Sequence, residues 1–412
     1  MNQLINDVKI LLKEISDSIS QTTIFDIEYI SDVYKKVSAL EKQKLKLLHD
    51  VVNHFLGYME LKAASDIDIG GYGNQKKIWY RIQGKKSLVE DFGTYEPFET
   101  DILLLSLLEE KQAGIFLQNR SFDFSYKYDS ESGMGRRLRA SMYLDMGHLA
   151  LNMRMIDEKV RPLSSFQFHP NILQKLSIEH TKNGLTLVTG ITGSGKSTTL
   201  DAIIDFNNKQ SDCHITIIAD PVERVHESKK ALVRHREVGS DVLSFKTGAI
   251  QALRQDPDII IIGEMRDPET IMTTLELTDT GHKVYSTLHT SSAIETIDRI
   301  IGEVPKESQV QVKNRLADVL DVIISQKLIP SVDGKLILAK EVLCMNNSIR
   351  AAIKNDNLHE IYGMMRQGSN TGMITLEQDL KRLFRNNRIS FENAIANANN
   401  KKTFNDLVKY SF

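Results

Sequence analysis

The spacing of apolar residues divides the first 158 residues into a helical stretch and a strand-rich stretch. In residues 1 to about 60, apolar residues recur every three or four positions, over 4–19 and again over 40–59, which predicts helices with one buried face. From about 62 to 158 the chain has short β-branched and aromatic runs at 77–82 and 121–128, and the second alternates polar and aromatic residues. The three glycines within 69–74 predict a turn. We therefore expect a small α+β domain after the first helices.

The second half of the chain alternates strand-like apolar runs with helical segments up to about residue 345. The runs lie at 185–188, 215–218, 259–262 and 284–288, and two of them are almost entirely β-branched, as is typical of parallel strands buried on both faces. This alternation predicts a wound α/β domain with right-handed crossovers. A polar, proline-containing segment at 157–165 predicts a domain boundary within it, and residues 346–412 return to helical spacing with a loop at 397–402.

Composition excludes several classes of protein. Among the 412 residues, 52 are Lys or Arg and 54 are Asp or Glu, so the formal net charge is −2, which argues against a chain that wraps nucleic acid. No run of about 18 apolar residues occurs, so we expect no transmembrane segment. The two cysteines, Cys213 and Cys344, are too few for a disulfide framework or a four-thiolate zinc site. We expect two reduced thiols in a cytoplasmic protein.

The strongest chemical signal is the segment GITGSGKST at 190–198. Gly190, Gly195, Lys196 and Ser197 fit the G-x-x-x-x-G-K-[ST] phosphate-binding loop, with an apolar strand before it and a helix after it. The glycines allow backbone N–H groups to surround phosphate oxygens. We expect Lys196 to reach the β- and γ-phosphates of ATP and the Ser197 hydroxyl to ligate Mg²⁺. The expected nucleotide-binding residues are Gly190, Thr192, Gly193, Ser194, Gly195, Lys196, Ser197 and Thr198.

Three further strands end in reactive side chains. Glu264 follows the isoleucine run at 259–262, where it is available to orient a water molecule as a general base. Asp220 follows the run at 215–218, and His289 follows the run at 284–288. Because ligands of wound sheets bind beyond the carboxyl ends of the strands, we expect Gly190, Asp220, Glu264 and His289 to converge. His289 would then sense the γ-phosphate.

Four arginines precede the domain boundary: Arg136, Arg137, Arg139 and Arg154. Phosphoryl-transfer ATPases often take an arginine from a neighbouring subunit to neutralise charge in the transition state. On spacing alone, a solvated basic strand is an equally good interpretation of this cluster.

Four motifs together resemble those of the type II/IV secretion superfamily of hexameric ATPases, and most closely its pilus-retraction members. They are the phosphate-binding loop, IADPVERVHESKK, LRQDPDIIIIGEMRDPET and TGHKVYSTLHT, within a similarity that spans about 47–395. The resemblance implies a RecA-like P-loop ATPase domain at 166–345 and a PAS-like N-terminal domain at 47–158. It does not explain the helical extension at 1–46, which, like the C-terminal helical region at 346–412, is expected from helical spacing. The residues to which it gives catalytic roles are Glu264, Asp220, His289, Arg137, Arg139 and Arg154.

The resemblance also implies a homo-hexamer on the cytoplasmic side of the inner membrane, held there by a platform protein of a pilus or secretion machine. Nucleic acid is not an expected partner. The expected function is an ATP-driven motor for type IV pilus retraction. The alternatives are a type IV secretion ATPase that energises export, a RecA-like nucleic-acid motor, and a subunit that binds ATP without turnover.

The chain departs from the family pattern at several positions. Ala219 stands where a glutamate is usual, which removes one acidic group near Mg²⁺ or the attacking water. Asp68 stands where a histidine is usual, and Ala351 and Ala352 replace residues of a C-terminal segment that is linked with retraction. The tetracysteine zinc motif common in assembly and export members is absent, which favours a retraction-like or a DotB-like member over a pilus-extension motor.

Overall fold

Two separate sheets organise the chain into two units, Met1–Glu158 and Lys159–Phe412. The computed structural model describes residues 2–19, 26–82, 84–129, 135–156 and 159–409. The division between the units falls in the segment 157–165, of which residues 157 and 158 lie outside the described residues. Each unit is described by itself below.

In its described residues, the first unit combines five helices with a six-stranded antiparallel sheet. The helices are α1 (Asn2–Asp17), α2 (Ile27–Ser38), α3 (Lys42–Leu61), α4 (Pro97–Leu105) and α5 (Glu110–Asn119). The strands are β1 (Asp66–Gly70), β2 (Ile78–Ile82), β3 (Lys85–Val89), β4 (Ser121–Asp129), β5 (Gly135–Asp145) and β6 (His148–Met155). Their order across the sheet is β3-β2-β1-β6-β5-β4. The runs expected at 77–82 and 121–128 are thus strands β2 and β4, whereas most of the polar stretch 129–135 lies outside the described residues.

The sheet of the first unit has one apolar face and one polar face. On the apolar face, Ile67 pairs with Met153 across β1 and β6, and both are fully buried in the core of this unit. On the other face, Asp66 is opposite Arg154. Side chains alternate between the two faces of a sheet along each strand. The residues on the apolar face therefore form the core of this unit, and the charged residues lie on the opposite face.

Helices α1 and α2, which lie within the segment 1–46, share the core of the first unit. Helix α1 packs against α3 and α4, and α2 packs against α4 and α5. Val8 and Leu12 of α1 and Ile30 and Val33 of α2 are fully buried in the same cluster as Phe55 of α3. The expectation of helix in residues 1–60 therefore corresponds to three helices whose apolar faces close one core.

The second unit is a wound α/β domain around a seven-stranded sheet. Its strands are β7 (Gly184–Thr189), β8 (His214–Ala219), β9 (Leu232–Glu237), β10 (Ile259–Ile262), β11 (Lys283–Leu288), β12 (Leu320–Pro330) and β13 (Leu336–Cys344). Its first helices are α6 (Pro170–Lys175), α7 (Lys196–Gln210), α8 (Phe245–Ala252), α9 (Pro268–Asp279), α10 (Ala293–Glu303) and α11 (Lys306–Val319). The last helices are α12 (Asn347–Lys354), α13 (Leu358–Gln367), α14 (Leu376–Arg385), α15 (Phe391–Asn397) and α16 (Lys401–Lys409), and two 3₁₀ turns lie at Leu163–Phe166 and Ser369–Thr371.

The strand order β13-β12-β7-β11-β10-β8-β9 is parallel except for the edge strand β13. The four apolar runs identified in the sequence are the central strands β7, β11, β10 and β8, so the α/β fold class is confirmed. Strands β9, β12 and β13 were not predicted. In register, Ile262 lies beside Ile218 on one side and Ser286 on the other, which brings the carboxyl ends of these strands to one edge of the sheet.

The C-terminal region contributes to the core of the second unit and also forms a small core of its own. Ile349, Ala352 and Ile353 of α12 are buried in the main cluster, whereas Ala351 is exposed. Leu380 and Phe404 lie in the smaller cluster beneath α14 and α16. Over the described residues, no helix combines the length and the apolar character that crossing a membrane requires.

Candidate functional site

The loop between β7 and α7 has a backbone shape that only glycine permits at two positions. Gly190 has φ +148° and Gly195, the N-cap of α7, has φ +86°. A Cβ atom at Gly190 would lie 2.4 Å from the Ser194 Oγ atom and 2.5 Å from the Gln326 carbonyl oxygen. The glycines therefore allow a tight loop ahead of the N-terminus of a 15-residue helix, where backbone N–H groups and the helix dipole favour phosphate.

Lys196 is folded back over this loop. Its Nζ atom donates to the carbonyl oxygens of Gly190, at 2.9 Å, and Ile191, at 3.2 Å. The residue is only 9% exposed. Burial lowers the pKa of Lys196, and the nearby carboxylates of Glu264 and Glu223 oppose that shift. A phosphate in the loop would add a counter-charge in direct contact with this buried ammonium group.

Ser194 supplies an orphaned polar atom in the same loop. Its Oγ atom is buried and has no hydrogen-bond partner among the described residues. A buried hydroxyl without a partner is costly unless a ligand or water satisfies it. Together with the glycine-dependent loop and the buried Lys196, it matches what a bound nucleotide phosphate requires.

Gln326 of β12 fixes the loop from the side. Its Nε2 atom donates to the Ser194 carbonyl oxygen at 2.8 Å, and its Oε1 atom accepts from the Thr199 Oγ1 atom at 2.9 Å. Gln326 is buried. Sequence reasoning missed this residue, because no motif contains it and β12 lies 120 positions and more after the loop.

Glu264 and His289 meet Lys196 at the carboxyl edge of the sheet. The Nζ atom of Lys196 lies 3.4 Å from His289 Nδ1, and His289 Nε2 lies 3.3 Å from Glu264 Oε2. Since the lysine donates to Nδ1, the imidazole carries its proton on Nε2 and donates to the carboxylate. Arg266 forms an ion pair with the other oxygen of Glu264. Three motifs that are far apart in sequence are thus joined in one chain of polar contacts.

The glycine before Glu264 is closely packed against the neighbouring strand. A Cβ atom at Gly263 would lie 3.3 Å from the Ala219 Cα atom and 3.4 Å from its Cβ atom. This contact places Ala219, the last residue of β8, beside the residue that precedes the candidate base. Asp220 follows Ala219 and is exposed at the same edge.

The segment after Asp220 is attached to the helix of the phosphate-binding loop. Arg224 Nε donates to Asp201 Oδ2 at 2.9 Å, and His226 Nε2 lies 3.0 Å from the other oxygen of the same carboxylate. The sequence motif contains Arg224 and His226 but did not show that both contact α7. Of the remaining loop residues, Thr192, Gly193 and Ser197 are exposed and Thr198 is half-buried.

In the first unit, the candidate arginines lie on the polar face of the sheet. Arg154 donates to Asp66 Oδ1 from Nε at 2.9 Å, and Arg139 is its direct neighbour on β5. Arg137 lies two residues before Arg139 on the same face. Arg136 is on the opposite face, where its NH2 group is 2.9 Å from Glu60 of α3, so strand alternation separates it from the other three arginines.

Asp66 holds two arginines at once. The residue is only 3% exposed, and in addition to Arg154 it has Arg81 Nε 3.5 Å from its Oδ2 atom. Although burial opposes it, hydrogen bonding from Ser65 and Arg154 together with the charges of Arg154 and Lys86 lowers the pKa of Asp66. The carboxylate is therefore ionised and orients Arg154 along the polar face. Arg81 was not identified from the sequence.

Comparisons with known proteins identify the family of this chain and several similar proteins. A family model described as type II/IV secretion system protein matches residues 137–404. The type IV pilus retraction ATPase PilT of Pseudomonas aeruginosa is 38% identical over 343 residues, which are 83% of this chain and 96% of that protein. A twitching motility protein of Neisseria gonorrhoeae is 37% identical over 306 residues, 74% of this chain and 80% of that protein. The crystal structure of the pilus retraction motor PilT with bound ADP has a TM-score of 0.76 at 36% identity, covering 86% of this chain and 99% of that one.

Proposed function

The chain belongs to the type II/IV secretion system protein family, and we propose that it is the ATP-hydrolysing motor that powers retraction of a type IV pilus. The observation that carries the enzymatic part is the contact chain Lys196–His289–Glu264, which joins the phosphate-binding loop to a general base through one imidazole. The retraction role is supported by the relatives, since a pilus retraction ATPase and a twitching motility protein align over most of their lengths.

Each residue of the site has a defined task in this proposal. The loop amides and Lys196 bind the β- and γ-phosphates of ATP, and the Ser197 hydroxyl is a ligand for Mg²⁺, which neutralises phosphate charge when bound. Glu264 orients the attacking water, and Asp220 adds a second carboxylate at the same edge. One ring nitrogen of His289 contacts Glu264 and the other contacts Lys196. When the γ-phosphate draws Lys196 away, His289 loses its contact with the lysine, and this loss is how it senses the γ-phosphate.

Arg266 also contributes to the position of the base. Its exposed side chain pairs with Glu264, whose own side chain is only 12% exposed, so it restrains the carboxylate from the solvent side. Two partners on different oxygens fix the plane of the Glu264 carboxylate, and a fixed acceptor orients water better than a mobile one.

We propose that six copies form a ring and that each site is completed by a neighbour. Arg137, Arg139 and Arg154 present their guanidinium groups on the exposed polar face of the first unit, and an arginine supplied in trans stabilises the charge of the transition state. Hydrolysis would then be tied to movement of one domain against another. A platform protein of the inner membrane would hold the ring at the cytoplasmic face.

Deletion of the gene in the source cell tests the assignment. Loss of retraction leaves excess surface pili and abolishes twitching-type movement, which is the result that we expect. Cells without pili would instead identify an assembly motor, and normal pili with failed protein export would identify a secretion ATPase. Either of the last two results would overturn the proposed role, while leaving the ATPase chemistry to be tested on the purified protein.

A further inference from the structure

A cavity in the second unit lies apart from the nucleotide site. It has a volume of about 440 Å³, which is within the range of small-molecule sites. Its walls come from the segment at 161–167, strand β13 and the end of α14 with the turn that follows. None of the lining residues belongs to the phosphate-binding loop or to the strand ends that carry Glu264 and His289.

A buried ammonium group lines this cavity. Lys340 is only 5% exposed, and its Nζ atom donates to a single described acceptor, the Phe166 carbonyl oxygen, at 2.8 Å. The ring of Phe168 lies below it, with its centroid 5.5 Å from Nζ. An ammonium group has three protons to donate, so Lys340 has donor capacity left for a ligand. Burial lowers the pKa of Lys340, and a bound anion would reverse that cost.

Three arginines surround the same space, and only one of them is neutralised. Arg382 pairs with the buried carboxylate of Asp379 at 2.7 Å and donates to Gln167. The side chains of Arg161 and Arg388 are exposed and make no hydrogen bond or ion pair within the described part of the chain. Asp379 itself does not line the cavity. The cavity therefore has an excess of positive charge carried by one ammonium and two guanidinium groups.

Leucines form the apolar part of the remaining wall, which also includes the polar residues Ser165, Gln167 and Asn386. Leu336 is 60% exposed at the start of β13, and Leu338 and the buried Leu383 continue the same surface into the cavity. An apolar group of a ligand that covers this exposed leucine would remove apolar surface from water, which favours binding. The cavity therefore combines a cationic end with a hydrophobic side.

We propose that this cavity binds a small phosphate ester with an apolar or aromatic body. A ligand with one carboxylate would neutralise only one of the three cationic groups. A phosphate ester carries up to two negative charges and three acceptor oxygens, so it matches these groups better. Guanidinium groups match phosphate oxygens in bidentate geometry. The ester body covers the leucine wall. This ligand site is independent of ATP turnover at the phosphate-binding loop.

The test uses the full-length protein with saturating Mg²⁺ and ADP, so that the nucleotide site is occupied, and 1-naphthyl phosphate as the probe. Isothermal titration is performed on the wild type, Arg161→Gln, Arg388→Gln and, as a matched control, Arg366→Gln, which removes an exposed charge that does not line the cavity. We expect saturable binding to the wild type and to Arg366→Gln. Binding should be about fivefold to tenfold weaker in each of the other two variants.

Two further probes separate the parts of the ligand. We expect inorganic phosphate and the neutral 1-naphthol each to bind at least about tenfold more weakly than the ester. Unchanged affinity of Arg388→Gln and Arg161→Gln, or no saturable binding at millimolar probe, would overturn the site. Equal affinity for inorganic phosphate would overturn the ester, and equal affinity for 1-naphthol would overturn the need for phosphate.

Discussion

The side-chain amide of Gln326 donates a 2.8 Å hydrogen bond to the main-chain carbonyl oxygen of Ser194. The same side chain accepts from Thr199 of α7, so one residue of β12 holds both the loop and the first turns of its helix. The phosphate-binding loop is therefore supported by the strand beside β7 as well as by its own glycines.

Replacement of Gln326 by glutamate should impair catalysis. The carboxylate keeps the shape but places an acceptor against the Ser194 carbonyl, and a buried unsatisfied group costs about 1–3 kcal/mol. We expect kcat/KM for ATP to fall about tenfold or more, with KM raised, in a steady-state assay of the purified protein. Gln309→Glu, which alters an amide whose one hydrogen bond among the described residues is to the Val304 carbonyl oxygen, should retain activity. A Gln326→Glu protein with kcat/KM within twofold of the wild type would refute this role.

Restoring the missing acid at Ala219 should strengthen the site for metal. Ala219 ends β8 beside Gly263, so Ala219→Glu adds a carboxylate at the edge that carries Glu264, and hard carboxylate oxygens favour Mg²⁺. Because the added negative charge attracts Mg²⁺, the Mg²⁺ concentration that gives half-maximal hydrolysis should fall roughly threefold or more. Ala219→Gln is the matched control of equal size and should not lower it. An unchanged or increased Mg²⁺ requirement in Ala219→Glu would contradict the interpretation.

Arg154 should act on a neighbouring subunit. Arg154→Ala is expected to reduce hydrolysis about 10³-fold, as for other arginines that stabilise phosphoryl transfer. Mixing it with inactive Lys196→Ala protein should restore activity, because one subunit supplies the arginine and the other supplies the loop. Arg136→Gln, on the opposite face of the same sheet, should remain active. Mixed rings that stay inactive would show that Arg154 does not work in trans.

Glu341 should make stability depend on pH in the neutral range. Burial raises its pKa from 4.5 to about 7, against hydrogen bonds from the backbone of Ala293 and Leu376. Between these values the folded chain binds a proton that the unfolded chain releases, so stability falls as pH rises from about 4.5 to 7. Glu341→Gln stays neutral. Its stability relative to the wild type should therefore increase over this window by on the order of 3 kcal/mol.

Urea unfolding at pH 5 and pH 8 measures this change. The exposed Glu307→Gln variant on α11 is the control and should track the wild type at both values. A Glu341→Gln variant whose stability relative to the wild type is the same at pH 5 and pH 8 would contradict the proton uptake by folded Glu341.

Local sequence patterns correctly predicted the central strands of the second unit and the strand–loop–helix arrangement around Lys196. The isoleucine run at 259–262 became β10, the central β-branched runs became parallel strands, and the loop residues around Lys196 lie between a strand and a helix, as the motif requires. These features depend on periodicity and turn chemistry within a few residues. The contact of His289 with both Lys196 and Glu264 follows from the shared edge of a parallel sheet.

Contacts between distant segments could not be read from the sequence. Gln326 reaches Ser194 only because β12 pairs with β7, and β12 follows a helix with no turn signal to separate them. The packing of α1 and α2 into the first core depends on tertiary contacts that helical spacing does not specify. Arg136 was grouped with its neighbours on sequence distance alone, although the alternation of β5 places it on the other face.

The central claim is that hydrolysis assisted by Glu264 drives pilus retraction. The most direct measurement replaces the chromosomal gene by its Glu264→Gln variant and follows fluorescently labelled pili in living cells. Because the variant keeps the loop and Lys196 but lacks the carboxylate base, we predict that pili extend and accumulate while retraction events disappear. Retraction at the wild-type frequency in Glu264→Gln cells would contradict the account.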